Sequence, residues 1–433
     1  MNPYYETDYG KLYNGHVLDT LKQLPSDTVS CCVTSPPYWA LRDYGTDGVV
    51  WDGDADCEHV WNEETFNQHS GRGDCQKSGK YSQQANIPDK QLTRHICSKC
   101  GAWKGQLGLE PDFNLYIKHL CDIFDEVKRV LRKDGTCWVN LGDTYSGGGS
   151  GQKDTGKHGY PSDVMCCLGN KPSGNTELQN KNLCNIPSRF SIEMQNRGWI
   201  MRNKIIWHKP NCMPSSVTDR FTVDFEEIFF FVKNKKYWFE QQLVPYDAPM
   251  NRWGGESLKR DTSKTKEYKD IQKIGHSSAF RVGRTMRPNE QGKNMRTVWK
   301  IPTQPFPDAH FAVFPEKLVE TPIKAGCPKD ICTKCGKPRE KIFSKQIEVK
   351  KYSIQAGYES TNGYTTCDCN APFVPGIVLD PFMGSGTTAV YCEKNHYRWI
   401  GCDVSDKYCE MIKGRLEPYK KQTKLINFKT ECE

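Results

Sequence analysis

Hydrophobic and polar positions along this chain fall into two textures. Short apolar runs at Val29–Val33, Thr136–Asn140, Ile200–Trp207, Glu226–Val232 and Gly376–Leu379 read as strands, bounded by polar or glycine-bearing turns. Apolar residues at helical spacing from Leu115 to Leu131, from Pro187 to Arg197 and from Thr387 onward read as helices. Lys133-Asp134-Gly135 predicts a turn before the strand at 136, and Lys233–Lys236 predicts a hairpin turn with Tyr237–Phe239 returning. Between these lie polar stretches with little period: Ala40–Gly108, a glycine- and serine-rich loop over 147–182, and Asn251–Lys300. Strands alternating with helices predict an α/β core, with the polar stretches as excursions from it.

Length and composition sharpen that picture. At 433 residues the chain suits one core of ~250 residues with inserted modules. No apolar run reaches the ~20 residues of a membrane span, and the N-terminus lacks the order of a signal peptide, so no membrane partner and a cytoplasmic location are expected. In that compartment the 21 cysteines are reduced thiols or metal ligands rather than a disulfide framework. Cys97 and Cys100 form a C-x2-C knuckle followed by glycine, with Cys57 and His59 upstream as a second ligand pair. Cys332 and Cys335 form another, complemented by Cys367 and Cys369, with Cys75 and Cys327 as spare candidates. Each set predicts a closed structural zinc site, because four protein ligands leave no position for a reacting water. Cys31 and Cys32 read as strand core. The stretch 251–300 is rich in Lys and Arg and dotted with Trp253, Tyr268, Phe280 and Trp299, in a chain of formal charge +8. That combination predicts a nucleic-acid surface.

Two further motifs carry chemistry. Thr34-Ser35-Pro36-Pro37-Tyr38-Trp39 follows the strand at 29–33. Asp380-Pro-Phe382-Met-Gly384-Ser-Gly386-Thr387-Thr388 follows the strand at 376–379 and opens a helix, a glycine-rich turn that lets a ligand approach the backbone. It matches neither the G-x-G-x-x-G fingerprint nor a P-loop. The pair resembles the DNA amino-methyltransferases that use S-adenosylmethionine, in the β order where the catalytic motif precedes the cofactor motif. Tyr13–Leu18, His310–Leu318 and Trp399–Asp403 extend the resemblance over most of the chain.

The resemblance implies a doubly wound, Rossmann-like, circularly permuted methyltransferase sheet, interrupted by the zinc-ribbon modules and the basic target-recognition insert. It divides the chain into 1–50 (catalytic half of the core), 51–110 (first zinc-ribbon insert), 111–240 (core, with a mobile lid or DNA-contacting loop at 147–182) and 241–305 (target recognition). The remainder is 306–326 (core helix region), 327–372 (second zinc-ribbon insert) and 373–433 (cofactor-binding half). It further implies that Ser35 and the Pro36 carbonyl accept the amino hydrogens of a flipped base, that Pro36 and Pro37 stiffen the loop, and that Tyr38 stacks on the base, with Trp39 widening the platform. Asp380, Phe382, Gly384, Gly386, Thr387 and Thr388 would hold the methionine end of S-adenosylmethionine, flanked by Phe314 and Pro315, and Asp403 the ribose hydroxyls. His16 departs from the acid that many relatives carry after the glycine. Serine before Pro-Pro-Tyr resembles the cytosine-N4 enzymes more than the adenine-N6 group. Double-stranded DNA is the implied substrate, and three roles stay open: protection against a cognate restriction endonuclease as partner in a restriction-modification setting, an orphan regulatory mark, or a phage's self-protection. The alternative from another class is a zinc-ribbon DNA-binding protein without turnover. Methylation of a protein glutamine fits less well, because that group carries Asn before Pro-Pro-Tyr.

Overall fold

A computed structural model describes residues 2–41, 45–46, 48–54, 56–68, 90–146, 178–245, 292–304, 314–350 and 353–430. The chain forms two compact units, one of Met1–Trp238, Thr297–Cys327 and Pro375–Glu433, the other of Phe239–Arg296 and Pro328–Val374.

The first unit is built on a sheet of nine strands. In chain order these are β1 (Tyr5–Glu6), β2 (Gly10–Asn14), β3 (Val29–Thr34), β4 (Leu131–Leu141), β5 (Ile200–His208), β6 (Phe225–Val232), β7 (Val298–Lys300), β8 (Ile377–Asp380) and β9 (Arg398–Asp403). Their order across the sheet is β1-β2-β9-β8-β3-β4-β6-β5-β7. From β2 to β4 all neighbours are parallel, whereas β6 runs antiparallel to both β4 and β5. The catalytic and cofactor motifs, far apart in the chain, therefore leave the C-terminal ends of adjacent strands β3 and β8. That end is where open α/β sheets bind ligands.

Every residue of β3 and β8 is buried, as expected of parallel strands covered on both faces. Successive side chains of β3 serve opposite faces. Cys32 joins the cluster formed with helices α1 (Val17–Gln23), α2 (Phe113–Val130) and α3 (Ile186–Asn196). Cys31 approaches Pro322 of α4 (Glu316–Gly326), which packs beside α5 (Thr387–Asn395), itself against α6 (Asp406–Thr430). Helix α2 begins where Asp112 accepts hydrogen bonds from the N–H groups of Asn114 and Leu115, satisfying two of the donors a helix start leaves open. It buries Phe113, Tyr116, Ile117, Leu120, Phe124 and Val127 along one stripe.

Three expectations are corrected. The predicted turn at 133–135 is part of β4, which starts at Leu131 and meets β3 with a register shift between Val29 and Cys31. Tyr237–Phe239 forms no returning strand, because both edges of β6 are already occupied, by β4 and β5; Trp238 instead donates its N–H to the Asp134 carbonyl at 2.9 Å. Trp299, expected on a nucleic-acid surface, is 5% exposed on edge strand β7. The rest of that basic stretch through 291, Trp253, Tyr268 and Phe280 included, lies outside the described residues, as do Cys75 and positions 147–177 of the predicted mobile loop. Among the described residues no helix is long and apolar enough to cross a membrane.

A smaller four-stranded antiparallel sheet of the first unit is made by Val49–Trp51, Trp103–Gly105, Lys90–Cys97 and Trp61–Gln68, in that order. It meets α2 through a buried histidine. His119 stacks on Trp51 and Trp103, with centroids 4.7 and 5.7 Å away, and presents one ring nitrogen to Asp52 at 3.0 Å and the other to Glu110 at 3.1 Å. The second unit contains the hairpin Lys341–Lys350/Ser353–Tyr364 and the short pair Ile331–Cys332/Phe373–Val374.

Candidate active site and metal centres

The catalytic motif is held from three sides. Thr34, the last residue of β3, donates its hydroxyl to Asp380 at 2.6 Å, which ties this loop to the cofactor loop. Pro36 is buried and Pro37 half-buried. The Pro37 carbonyl accepts the Tyr116 hydroxyl at 2.7 Å, whereas no described residue donates to that of Pro36. Behind Tyr38 lies Gly142, where any β-carbon would sit 2.6 Å from the tyrosine ring. Trp39 is no platform: it is 4% exposed, donates its indole N–H to the Glu110 carbonyl at 3.1 Å and packs edge-on against Phe113.

The Tyr38 hydroxyl sits in a cluster that sequence reasoning missed. It donates to Glu226 Oε2 at 2.7 Å, and it accepts from Ser35 Oγ at 3.2 Å and from Asn140 Nδ2 at 2.8 Å. Asn140 Nδ2 also donates to the same Glu226 oxygen at 2.6 Å, and Lys209 pairs with the other. These donors and acceptors come from four separate chain segments, so no local spacing announces them. The available signal was the strand direction. An acid at the start of an antiparallel apolar strand, as in Phe225-Glu226-Glu227-Ile228, lies at the same edge as the C-terminal ends of its parallel neighbours.

The cofactor loop is organised by two carboxylates. Asp380 is fully buried, accepts from Thr34 and from the Phe382 N–H on one oxygen, and from Thr388 Oγ1 at 2.7 Å on the other. Burial pushes its pKa up to about 6 despite these bonds. Thr388 thus gives its hydroxyl proton to Asp380, and Thr387 is buried beside Ser385. Asp403, at the end of β9, accepts the N–H of Gly384 at 2.7 Å and that of Ser405 at 2.9 Å. Burial raises it to about 6 as well, with Asp380 adding repulsion. Each Asp403 oxygen keeps a lone pair for a hydroxyl donor.

Gly384 and Gly386 both have positive φ, at +53° and +81°. A β-carbon at Gly386 would meet Ile412 at 2.9 Å, whereas at Gly384 it would face open space. The glycine at 384 therefore serves the backbone conformation, and the space beside it is open. Phe314, half-buried, and Pro315, buried, stand before α4. A small cavity at the C-terminal ends of β3 and β4 is lined mostly by apolar side chains, Trp138, Ile228, Phe314 and Leu318 among them, with Thr34 and Asn140 as its polar members. An open glycine cradle beside a carboxylate suited to a diol fits S-adenosylmethionine. His16, at the start of α1, is half-buried, with its Nε2 unpartnered among the described residues and its ring edge-on to Trp51 at 4.9 Å. Burial lowers its pKa.

Both cysteine sets converge. The ligand atoms of Cys57, His59, Cys97 and Cys100 all lie within 4.8 Å of one another, and so do those of Cys332, Cys335, Cys367 and Cys369. Cys57 and Cys97 Sγ are 3.9 Å apart, near the ~3.8 Å edge of a tetrahedron with zinc–sulfur bonds of ~2.3 Å. His59 Nδ1 and Cys100 Sγ are 3.4 Å apart. The two knuckles share one turn, since Gly101 donates to the Cys97 carbonyl and Gly336 to that of Cys332, each at 2.9 Å. The spare candidate Cys327 is fully buried at the end of α4, outside both sets.

Comparison with known proteins adds four findings. A family pattern described as DNA methylase matches residues 29–414. The type II methyltransferase M.Cfr9I of Citrobacter freundii is 29% identical over 412 residues, covering 95% of this chain and 89% of that one. The type II methyltransferase M.SmaI of Serratia marcescens is likewise 29% identical, over 94% of this chain and 90% of its own. Among solved structures, the PvuII DNA methyltransferase (cytosine-N4-specific) superposes with a TM-score of 0.46 at 14% identity, covering 95% of this chain and 88% of that one.

Proposed function

The chain belongs to the DNA methylase family of S-adenosylmethionine-dependent amino-methyltransferases, and from that premise we propose that it methylates N4 of a flipped cytosine within a specific sequence of double-stranded DNA. The observation that carries the proposal is the 2.6 Å bond from Thr34 to Asp380, which couples a Ser-Pro-Pro-Tyr loop to the cofactor loop on adjacent strands. When bound, the cofactor supplies an electrophilic sulfonium methyl group.

The chain's own residues have to make an amino nitrogen nucleophilic, since its lone pair is delocalised into the base. Ser35 Oγ, whose proton goes to Tyr38, keeps lone pairs for one amino hydrogen. The Pro36 carbonyl takes the other. Accepting both hydrogens favours a pyramidal nitrogen. Tyr38, fixed through its hydroxyl by Asn140 and Glu226, offers its ring as a rigid stacking face. Asp403 accepts from the ribose hydroxyls, the Gly384 turn receives the methionine end between Phe382 and Phe314, and Asp380 with Thr388 fixes the loop. Serine rather than aspartate before Pro-Pro-Tyr supports cytosine over adenine.

The Cys57/His59/Cys97/Cys100 and Cys332/Cys335/Cys367/Cys369 sets, whose donor atoms lie within 4.8 Å of one another, would each hold one structural zinc. The type II relatives favour a restriction-modification role, in the cytoplasm of a bacterial cell, with a cognate endonuclease as partner. Nucleoside analysis by mass spectrometry of DNA from expressing cells tests the base. N4-methylcytosine is expected, and N6-methyladenine alone would transfer the proposal to the other amino group.

A further inference from the structure

Asn140 is 6% exposed, and its amide oxygen accepts no hydrogen bond from any described residue. The orientation of the amide is fixed chemically. Nδ2 lies 2.6 Å from a Glu226 carboxylate oxygen and 2.8 Å from the Tyr38 hydroxyl, whose own proton goes to Glu226. Turning the amide over would set oxygen against carboxylate, so the unpaired atom is the carbonyl oxygen. The neighbouring acceptors are already engaged: Glu226 Oε2 takes two donors and Oε1 takes Lys209. Asn140 also lines a small, mostly apolar cavity at the C-terminal ends of β3 and β4, with Thr34, Trp138, Ile228, Phe314 and Leu318 among its other walls. A buried, unpaired acceptor is costly in a folded protein, and a ligand or an ordered water that reaches it removes that cost.

We propose that Asn140 is a ligand-binding residue whose carbonyl oxygen accepts an N–H from a bound amine. An acceptor on this wall is met by one of two amines, the α-ammonium of S-adenosylmethionine or the exocyclic amino group of the target base. The second source rests on the reading that Ser35–Tyr38 receives the base, and it would give Asn140 one of the two amino hydrogens in place of Ser35 Oγ or the Pro36 carbonyl. A purely structural asparagine would act through its amide nitrogen alone, as part of the clamp on Tyr38, and Glu226→Gln disturbs that clamp while leaving the oxygen in place.

The test compares Asn140→Leu, Glu226→Gln and the exchanged pair Asn140→Asp with Glu226→Gln, which keeps an oxygen acceptor at 140 and a donor between the two side chains. Calorimetry with S-adenosylmethionine alone and steady-state methylation of duplex DNA are the readouts, with thermal unfolding recorded for each variant. Asn140→Leu should lose about tenfold more than Glu226→Gln, and the exchanged pair should stay within about threefold of the unaltered protein. Loss in the binary titration assigns the oxygen to the ammonium. Loss confined to kcat/KM for DNA assigns it to the base. Equal behaviour of Asn140→Leu and Glu226→Gln in both assays would overturn the proposal, and so would a tenfold loss in the exchanged pair. Tyr38→Ala in the same assays probes the base-receiving loop separately, since full activity there discards that loop's role without touching Asn140 and the cofactor.

Discussion

Single residues carry the chemistry here through a small number of saturated hydrogen bonds. Tyr38→Ala should remove a stacking face worth about 1–3 kcal/mol, weakening productive DNA binding while the binary cofactor affinity holds; Ser35→Ala should lower kcat. Full turnover in both variants would remove these residues from the site. The two cofactor-loop carboxyls set a pH dependence. Asp380 and Asp403 are both raised to about 6, chiefly by burial. For an acid raised on folding, the stability contribution is fully present below the unfolded value near 3.8 and is lost as pH rises through about 6. If Asp403 accepts the ribose hydroxyls as proposed, cofactor binding runs the opposite way, because a carboxylate accepts best when ionised. Calorimetric affinity for S-adenosylmethionine should therefore fall as pH drops from 7.5 to 5.5, and Asp403→Asn should flatten that profile. An affinity independent of pH across this window would reject Asp403 as the ribose acceptor. At this scale Ser35, Tyr38 and Asp403 could be proposed from the sequence because each belongs to a contiguous motif. Asn140 and Glu226 were not, since their partners are created by the sheet.

Elements place these residues, and their errors of prediction have local causes. The runs at 29–34 and 377–380 are strands covered on both faces, and their polar members Ser30, Thr34 and Asp380 are buried with the rest. The hairpin expected after β6 failed because turn chemistry at Lys233–Lys236 says nothing about which strand edges are already taken. The contact between α2 and the small sheet shows the same limit, since His119 gave no sequence signal. With carboxylates on both ring nitrogens and Glu110 fully buried, His119→Ala would leave an uncompensated buried acid. It should cost about 3–5 kcal/mol, read as a lowered Tm. An unchanged Tm would mean the cluster adds nothing to docking. The knuckles, by contrast, were fully legible as spacings, and the eight ligand atoms converge as two groups. Cys97→Ser and Cys332→Ser should each remove one zinc equivalent by elemental analysis and expose the surrounding insert to protease, because binding energy in such modules is also folding energy. Purified protein with no zinc and full activity would discard both centres.

At the scale of the whole molecule, the permuted order is what brings function together. Motifs separated by more than 300 residues meet because β3 and β8 are neighbours in the sheet. The fold was legible from those motifs and their order, while the composition of the polar stretches could not specify which of their residues join the core, as Trp299 on β7 illustrates. The central claim is transfer of a methyl group from S-adenosylmethionine to an exocyclic amino nitrogen of DNA, with cytosine N4 as its specific form. The most direct test incubates purified protein with duplex DNA and methyl-labelled S-adenosylmethionine, then digests the DNA and separates the nucleosides. Label in N4-methylcytosine, formed more slowly by Ser35→Ala and Tyr38→Ala, is the predicted result. Absence of label from every DNA nucleoside, in protein that binds both cofactor and DNA, would contradict the account.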